Sequence, residues 1–176
     1  MLDIAVAYRR YQFVGDEFLT WLWYIIERDT RLLNRLDKDL AALEIGNRMV
    51  FENRYRRDSG ETVTVKGEEA NMDEGLLALK KGAMVTEVNL VYRSGDQEWR
   101  FNLKGESLNI SSLRVPESGK VETKEDIEGA VIEKIYFYEK ILNLINELFK
   151  YFIKIRVSNE WSAKTVPAMR KWIVST

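Results

Sequence analysis

The feature that most constrains the fold is a long amphipathic segment near the carboxyl terminus. Apolar residues recur there at alternating intervals of four and three, the heptad-like spacing of a helix with one continuous apolar seam. A second apolar strip runs beside the seam. Together they predict a helix of roughly 28 to 32 residues, or roughly 45 Å. The seam is Val131, Ile135, Tyr138, Leu142, Ile145, Phe149 and Phe152, and the strip is Phe137, Ile141, Leu144, Leu148, Tyr151 and Ile155.

The width of this apolar face bears on assembly. Thr123 and Asp126 form a capping-box pattern where the helix is predicted to begin. The face is wider than one sheet surface needs to cover, so part of it is expected to contact the first helix or a second chain. We therefore expect a homodimer. The residues predicted to mediate self-association are Tyr138, Leu142, Ile145, Phe149 and Phe152.

The middle of the chain carries the clearest sheet signal. Apolar residues at 84, 88, 90 and 92 share one side of a strand, and the segment 93–96 reads as a turn. In the following strand, Trp99, Phe101 and Leu103 alternate with polar residues. This pattern predicts an antiparallel sheet with one dry face and one wet face. Further strands are predicted over 61–66 and 108–115, and a short helix over 71–82.

Nearer the amino terminus, residues 4–14 are rich in β-formers and predict a first strand. Gly15 and Asp16 then indicate a turn and the N-cap of a helix, whose end between Glu27 and Asp39 is left open. Gly46–Asn47 suits the positive φ angles of a tight hairpin.

These elements predict an α+β fold in which an antiparallel sheet is packed against an N-terminal helix, a short central helix and a long C-terminal helix. We expect one domain over 1–176, with the first helix and the sheet in 1–116 and the long helix and helical tail in 123–176.

Composition removes several classes of chemistry. The 176 residues include no histidine and no cysteine. A Ser-His-Asp triad, a thiolate nucleophile, a disulfide and the usual zinc or iron–sulfur sites are therefore excluded. We expect a protein that is not an enzyme and needs no cofactor. The 27 Lys and Arg against 28 Asp and Glu, for a net charge of -1, also disfavour a uniformly basic nucleic-acid binder.

Three local groups invite a chemical interpretation. The acidic cluster Glu68, Glu69, Asp73, Glu74 could hold a hard cation, but acids at a helix start are the ordinary complement of the helix dipole. Glu98-Trp99-Arg100 resembles the strand of some metal-dependent nucleases, and cross-strand charge pairing explains it more simply. Arginines interleave with tyrosines at 8–11 and at Arg54, Arg56 and Arg57, where they could contact phosphates and bases.

The chain also has no strong export or membrane signal. Its most apolar run, residues 18–26, is too short to cross ~30 Å of hydrocarbon as a helix. The order of charges in the first residues is the reverse of a secretory signal. We expect a cytoplasmic protein without a membrane partner.

Several segments together resemble the recombination-associated protein RdgC family. They are QFVGDEFLTWLWY, KKGAMVTEVNLVYRSGDQEWRFNL, SLNISSLRV and LFKYFIKIRVSNEWSAKTVPAMRKWI. The resemblance covers most of this chain but only the C-terminal part of a family member. It implies a non-catalytic protein whose dimers encircle duplex DNA with little sequence preference and restrain recombinase loading. Whether a separate protein supplies the N-terminal half of a family member is left open by the sequence.

The leading hypothesis is thus an RdgC-like, DNA-associated binding protein, nucleoid-associated if it binds duplex DNA nonspecifically. Its expected DNA contacts are Arg54, Arg56 and Arg57, together with Lys66, the residue that the resemblance carries over. The alternative is a structural or protein-interaction module that has lost DNA binding, which Glu68-Glu69 and the net charge favour. A metal-dependent nuclease that uses Glu98 is the third hypothesis.

Overall fold

The computed structural model describes the backbone of residues 4–53, 61–67, 72–119 and 123–175, and the side chains of these residues except 4–12 and 72. The fold is α+β, as predicted, with helices on one side of an antiparallel sheet. Its elements are α1 (Ile4–Arg28), α2 (Thr30–Leu36), β1 (Ala42–Glu52), β2 (Thr62–Lys66), α3 (Met72–Lys80), β3 (Met84–Ser94), β4 (Gln97–Lys104), β5 (Asn109–Arg114), α4 (Lys124–Arg156), a π-helical turn (Trp161–Thr165) and α5 (Val166–Val174).

The sheet has the strand order β2-β1-β3-β4-β5, and every described pairing is antiparallel. The hairpin of β3 and β4 is confirmed, with Gly95 at φ 61° in its two-residue turn. Tyr92 lies opposite Trp99 and both are fully buried, as are the other core residues of β4. Their sequence neighbours Glu98 and Arg100 face solvent. The prediction of one dry and one wet face is therefore confirmed for β4, whereas Val50 of β1 and Val91 of β3 are buried without joining the core beneath the helices.

The predicted strand over 4–14 is wrong, because α1 is helical from Ile4 and passes straight through Gly15 and Asp16. Strand propensity is a weak bias, and extending an existing helix requires no new nucleation. The segment around Phe18 is anchored in the core, and the Thr20 hydroxyl accepts the Val85 N–H at 3.1 Å. Once that turn is fixed, the residues before it continue the helix.

The sequence left open where the first helix ends. The structure ends α1 at Arg28, and Asp29 begins α2 by accepting the Leu32 N–H at 3.2 Å.

The predicted hairpin at Gly46–Asn47 is also wrong. These residues form a bulge in β1, where the register with β3 shifts between Ile45 and Met49. The Asn89 side chain fills the bulge and its Oδ1 accepts the Asn47 N–H at 3.3 Å. A Cβ on Gly46 would lie 2.0 Å from that oxygen, so any larger residue there would displace the Asn89 amide from the bulge.

The long helix α4 has 33 residues, one more than the predicted maximum. Its capping box is confirmed, since Thr123 Oγ1 accepts the Asp126 N–H at 3.2 Å and Asp126 Oδ2 accepts the Thr123 N–H at 2.7 Å. The buried residues of α4 begin only at the fourteenth position of the helix. They are Phe137, Ile141, Leu144, Ile145, Leu148 and Phe152.

The crossing of α1 over the turn after β4 depends on two glycines. A Cβ on Gly15 would lie 1.8 Å from the Gly105 carbonyl oxygen, so we expect Gly15→Ala to lower the free energy of unfolding by about 3 kcal/mol through forced separation. Gly129 of α4 has open space around it, and Gly129→Ala should leave stability unchanged or raise it by up to about 1 kcal/mol. Urea denaturation of both variants measures the difference, and equal effects would contradict this packing.

Candidate binding surfaces

The solvent face of the sheet is the first candidate surface. All ten charged residues in the described strands are adjacent in sequence to core or core-packed residues and thus belong to this face. Six are cations and four are carboxylates, a net charge of +2. They are Arg48, Lys66, Arg93, Arg100, Lys104 and Arg114, with Glu44, Glu52, Glu87 and Glu98.

Three of the arginines are already paired with carboxylates. Arg48 binds Glu87 at 2.6 Å. Glu98 lies between Arg93 and Arg100 at 2.9 and 2.7 Å, which confirms the expected cross-strand charge pairing. Hydrogen bonds from Arg100 and then Arg93 lower the pKa of Glu98. A carboxylate held in this way by two guanidinium groups is a poor proton acceptor near neutral pH.

The other three cations, Lys66, Lys104 and Arg114, form no ion pair with another residue that the structure describes. Lys66 is exposed on β2 and lies opposite Arg48. Arg114 lies opposite Arg100, and both line a shallow cleft beside the β3–β4 turn. These side chains remain free to approach an external anion.

The predicted DNA contacts Arg54, Arg56 and Arg57 lie outside the described residues. The flanking bond from the Asn53 N–H to the Glu61 carbonyl, at 3.3 Å, places the ends of that segment at the tip of the β1–β2 pair. Lys66 is at the other end of β2, about 13 Å along the strand from Thr62. The structure therefore does not bring Lys66 to the tip from which the arginine segment starts.

The second candidate surface is the first part of α4. None of residues 124–136 is buried, and we call this segment the α4 arm. Large apolar side chains on it and on the turn that follows are 45% to 67% exposed. They are Ile127, Val131, Ile132, Ile135, Tyr136, Tyr138 and Leu142. The six other than Tyr136, which lies toward the opposite side of the helix, expose on the order of 600 Å², as much as the largest apolar patch of a typical monomer.

The five residues predicted to mediate self-association fall into three environments. Tyr138 and Leu142 are exposed. Phe149 is half-buried and its ring packs edge-on against Phe18, with centroids 5.2 Å apart. Ile145 and Phe152 are in the core, so they are not available to a second chain. The periodicity alone could not separate these groups, because the seam continues unchanged from the arm into the packed half of the helix.

Sequence reasoning missed a polar cluster around Lys140. Its ammonium lies 5.8 and 5.6 Å from the ring centroids of Tyr92 and Trp99 and 3.4 Å from Asp39 Oδ2. The Tyr92 hydroxyl donates to Asp37 Oδ2 at 2.8 Å. These contacts attach α4 to β3 and to the α2–β1 connection. No local motif signals the cluster, because its residues are up to 103 positions apart.

The described residues form neither a metal-binding cluster nor a membrane-spanning helix. Among them, no group of three or more acidic residues is arranged to hold a metal ion. Asp73 and Glu74 occupy the first turn of α3, while Glu68 and Glu69 fall outside this part of the chain. No helix in the described ranges is long and apolar enough to span a bilayer.

Comparison with protein-family models found none that matches the chain, and comparison with curated proteins found no match either. The resemblance to the RdgC family therefore stays a prediction.

Burial, and then the hydrogen bond to Asp37, raises the pKa of Tyr92 above its ordinary value. The folded chain therefore holds the phenolic proton more tightly than the unfolded chain, whose tyrosines titrate near pH 10. This stabilisation is complete below about pH 10 and is lost as the pH rises further. We expect urea denaturation to show a larger loss of stability between pH 9 and pH 11 for the native protein than for Tyr92→Phe. Equal losses of stability in the two proteins would contradict the raised pKa of Tyr92.

Proposed function

We propose that this chain is a non-catalytic, DNA-associated binding protein that contacts the phosphate backbone of duplex DNA through the solvent face of its sheet. The supporting observation is the net positive charge of that face. The described strands carry +2 there, whereas the whole chain carries -1. The solvent face of the sheet is therefore a local basic surface that a polyanion can approach.

The charges on this face favour weak binding without sequence preference. The three cations without a described ion partner can each neutralise a phosphate and release condensed counterions. Arg48, Arg93 and Arg100 are held by carboxylates, and diverting them to phosphate would leave those carboxylates unpaired. A face of this kind is expected to hold DNA mainly at low salt. A cytoplasmic, nucleoid-associated location and a link to recombination are part of the same proposal, and they rest on the resemblance to the RdgC family.

The pairing of Glu98 is the reason to propose binding without catalysis. Its two carboxylate oxygens accept hydrogen bonds from two arginines on the open face. A nuclease would need that carboxylate to hold a divalent cation or to accept a proton, and both roles compete with these bonds.

The DNA proposal is tested by reversing the three free cations together. We expect Lys66→Glu/Lys104→Glu/Arg114→Glu to weaken low-salt binding to a nonspecific duplex by more than tenfold. For three phosphate contacts, the slope of log K against log salt should approach about -2.7 in the native protein and flatten in the variant. Fluorescence anisotropy at several salt concentrations measures both quantities.

The matched control reverses the same number of charges on the helical side, with Lys154→Glu/Lys164→Glu/Lys171→Glu. All three lysines are exposed on or between α4 and α5. The control should retain most of the affinity. An equal loss in both triple variants, or no binding by the native protein at tens of micromolar, would contradict the proposal.

A second candidate function is a protein-interaction module, which the exposed apolar side chains of the α4 arm favour. A large apolar surface on a projecting helix is typical of a helix-mediated interface. The two functions use different surfaces, since the sheet face is charged and the arm is apolar. Both can therefore belong to one molecule.

A further inference from the structure

We infer that the α4 arms of two copies of this chain pair side by side, parallel and in register. This inference rests on the second proposal, that the arm is a protein interface, and it names the partner. The apolar stripe that would form the contact is Val131, Ile135, Tyr138 and Leu142, spaced by four, three and four residues. With the flanking Ile127 and Ile132, the stripe exposes on the order of 600 Å², somewhat less than the ~800 Å² that each partner contributes to a standard interface.

The position of the stripe around the helix allows two copies to meet. At about 100° per residue, the buried side chains that hold α4 to its own body, Phe137, Ile141 and Leu148, lie about 100° from the middle of the stripe. The body of the protein thus covers an adjacent side of the helix and leaves the stripe open. In a two-fold parallel pair, the two bodies would lie on opposite sides of the joined helices.

The residues that flank the stripe favour a second copy as the occupant and set the direction. In a parallel pair, the residues on the two edges of the stripe also meet across the interface. A residue on one edge lies beside the residue five positions later in the partner helix, which is on the opposite edge of that helix. Lys134 would thus meet Glu139 of the partner subunit, and Ile127 would meet Ile132 of the partner subunit. Both of these flanking pairs are therefore matched, charge with opposite charge and apolar with apolar.

The same two charged residues have no competing ion pair within the chain. Lys134 and Glu139 are both exposed, and neither forms an ion pair with another residue in the described ranges. An antiparallel pair that overlaps the same stripe would set Val131 across from Leu142. Glu139 of one copy would then face Ile132 of the partner subunit. Lys134 would face Ile141 of the partner subunit, a residue that is already buried in the core of its own chain. The antiparallel arrangement therefore loses the matched flanks.

One residue limits the strength of the pair. Glu128 lies three residues before Val131, where the alternating spacing of the stripe places the preceding contact position, so two parallel copies bring two carboxylates together at that level. The apolar contact is thereby confined largely to two heptads. We expect a weak, concentration-dependent dimer, and we expect Glu128→Leu to tighten it by more than tenfold.

Because the chain has no cysteine, a single introduced thiol reports the direction of pairing. In the parallel arrangement Val131 faces its own copy, so the full chain carrying Val131→Cys should form a disulfide-linked dimer on mild oxidation. Gly129→Cys, exposed on the other side of the arm, is the matched control and should cross-link much less. Equal cross-linking of both variants would overturn the inference.

Mixing Val131→Cys with Leu142→Cys tests the opposite direction. These positions are roughly 16 Å apart along the axis in a parallel pair and face each other in the antiparallel one. A mixture dominated by the mixed cross-link would overturn the parallel assignment. Little mixed product would support it.

Charge reversal then tests the flanking pair, by sedimentation equilibrium without DNA. Lys134→Glu and Glu139→Lys should each weaken dimerisation several-fold, and the double variant should recover the native value. Failure of the double variant to recover would overturn the pairing of these residues. A native chain that stays monomeric at hundreds of micromolar would also overturn this inference. The broader proposal of a protein interface would then be judged separately, by whether an unrelated purified partner binds the native chain and not Val131→Asp.

Discussion

The contact between α4 and Trp99 of β4 determines what each part of the long helix can do. The Trp99 indole N–H donates to the Phe137 carbonyl at 3.2 Å, and the two rings meet edge to face with centroids 5.5 Å apart. One turn later, Lys140 lies over the Trp99 and Tyr92 rings. From Phe137 onward one side of α4 is buried in the core, while Tyr138 and Leu142 stay exposed, and before Phe137 no residue of the helix is buried.

This anchoring gives the molecule two surfaces of different character. The helices cover one face of the sheet, so the charged residues of the strands are confined to the other. The arm extends past the last core contact and keeps its apolar stripe in solvent. A cationic sheet face suits a polyanion, and an exposed apolar stripe suits another helix. The proposed functions follow from this division rather than from any catalytic constellation.

Much of the fold could be predicted because local patterns and tertiary contacts agree. The alternation around Trp99 and the capping box at Thr123 each specify one structure. The predictions of a first strand and of a hairpin at Gly46–Asn47 are wrong, because distant residues determine the backbone conformation at those positions. The Asn89 side chain, 42 residues from Asn47, turns a hairpin signal into a bulge, and the core around Phe18 extends a helix through a β-rich segment.

The candidate surfaces were less predictable for the same reason. A heptad pattern shows that one face of a helix is apolar. It does not show how much of that face packs against the rest of the same chain. The sequence therefore grouped Tyr138 with Ile145, although one is exposed and the other is in the core. Likewise, no local pattern showed that Arg48 lies beside Glu87, because the two residues are 39 positions apart.

Phe137 divides α4 into a packed half and the α4 arm, and we propose that a second copy covers the arm. Hydrogen–deuterium exchange at several protein concentrations tests this division directly. We expect amide protection over residues 144–152 to be high and independent of concentration, and protection over 124–136 to be low in dilute protein and to rise with concentration. Equal protection of both segments at every concentration would contradict it.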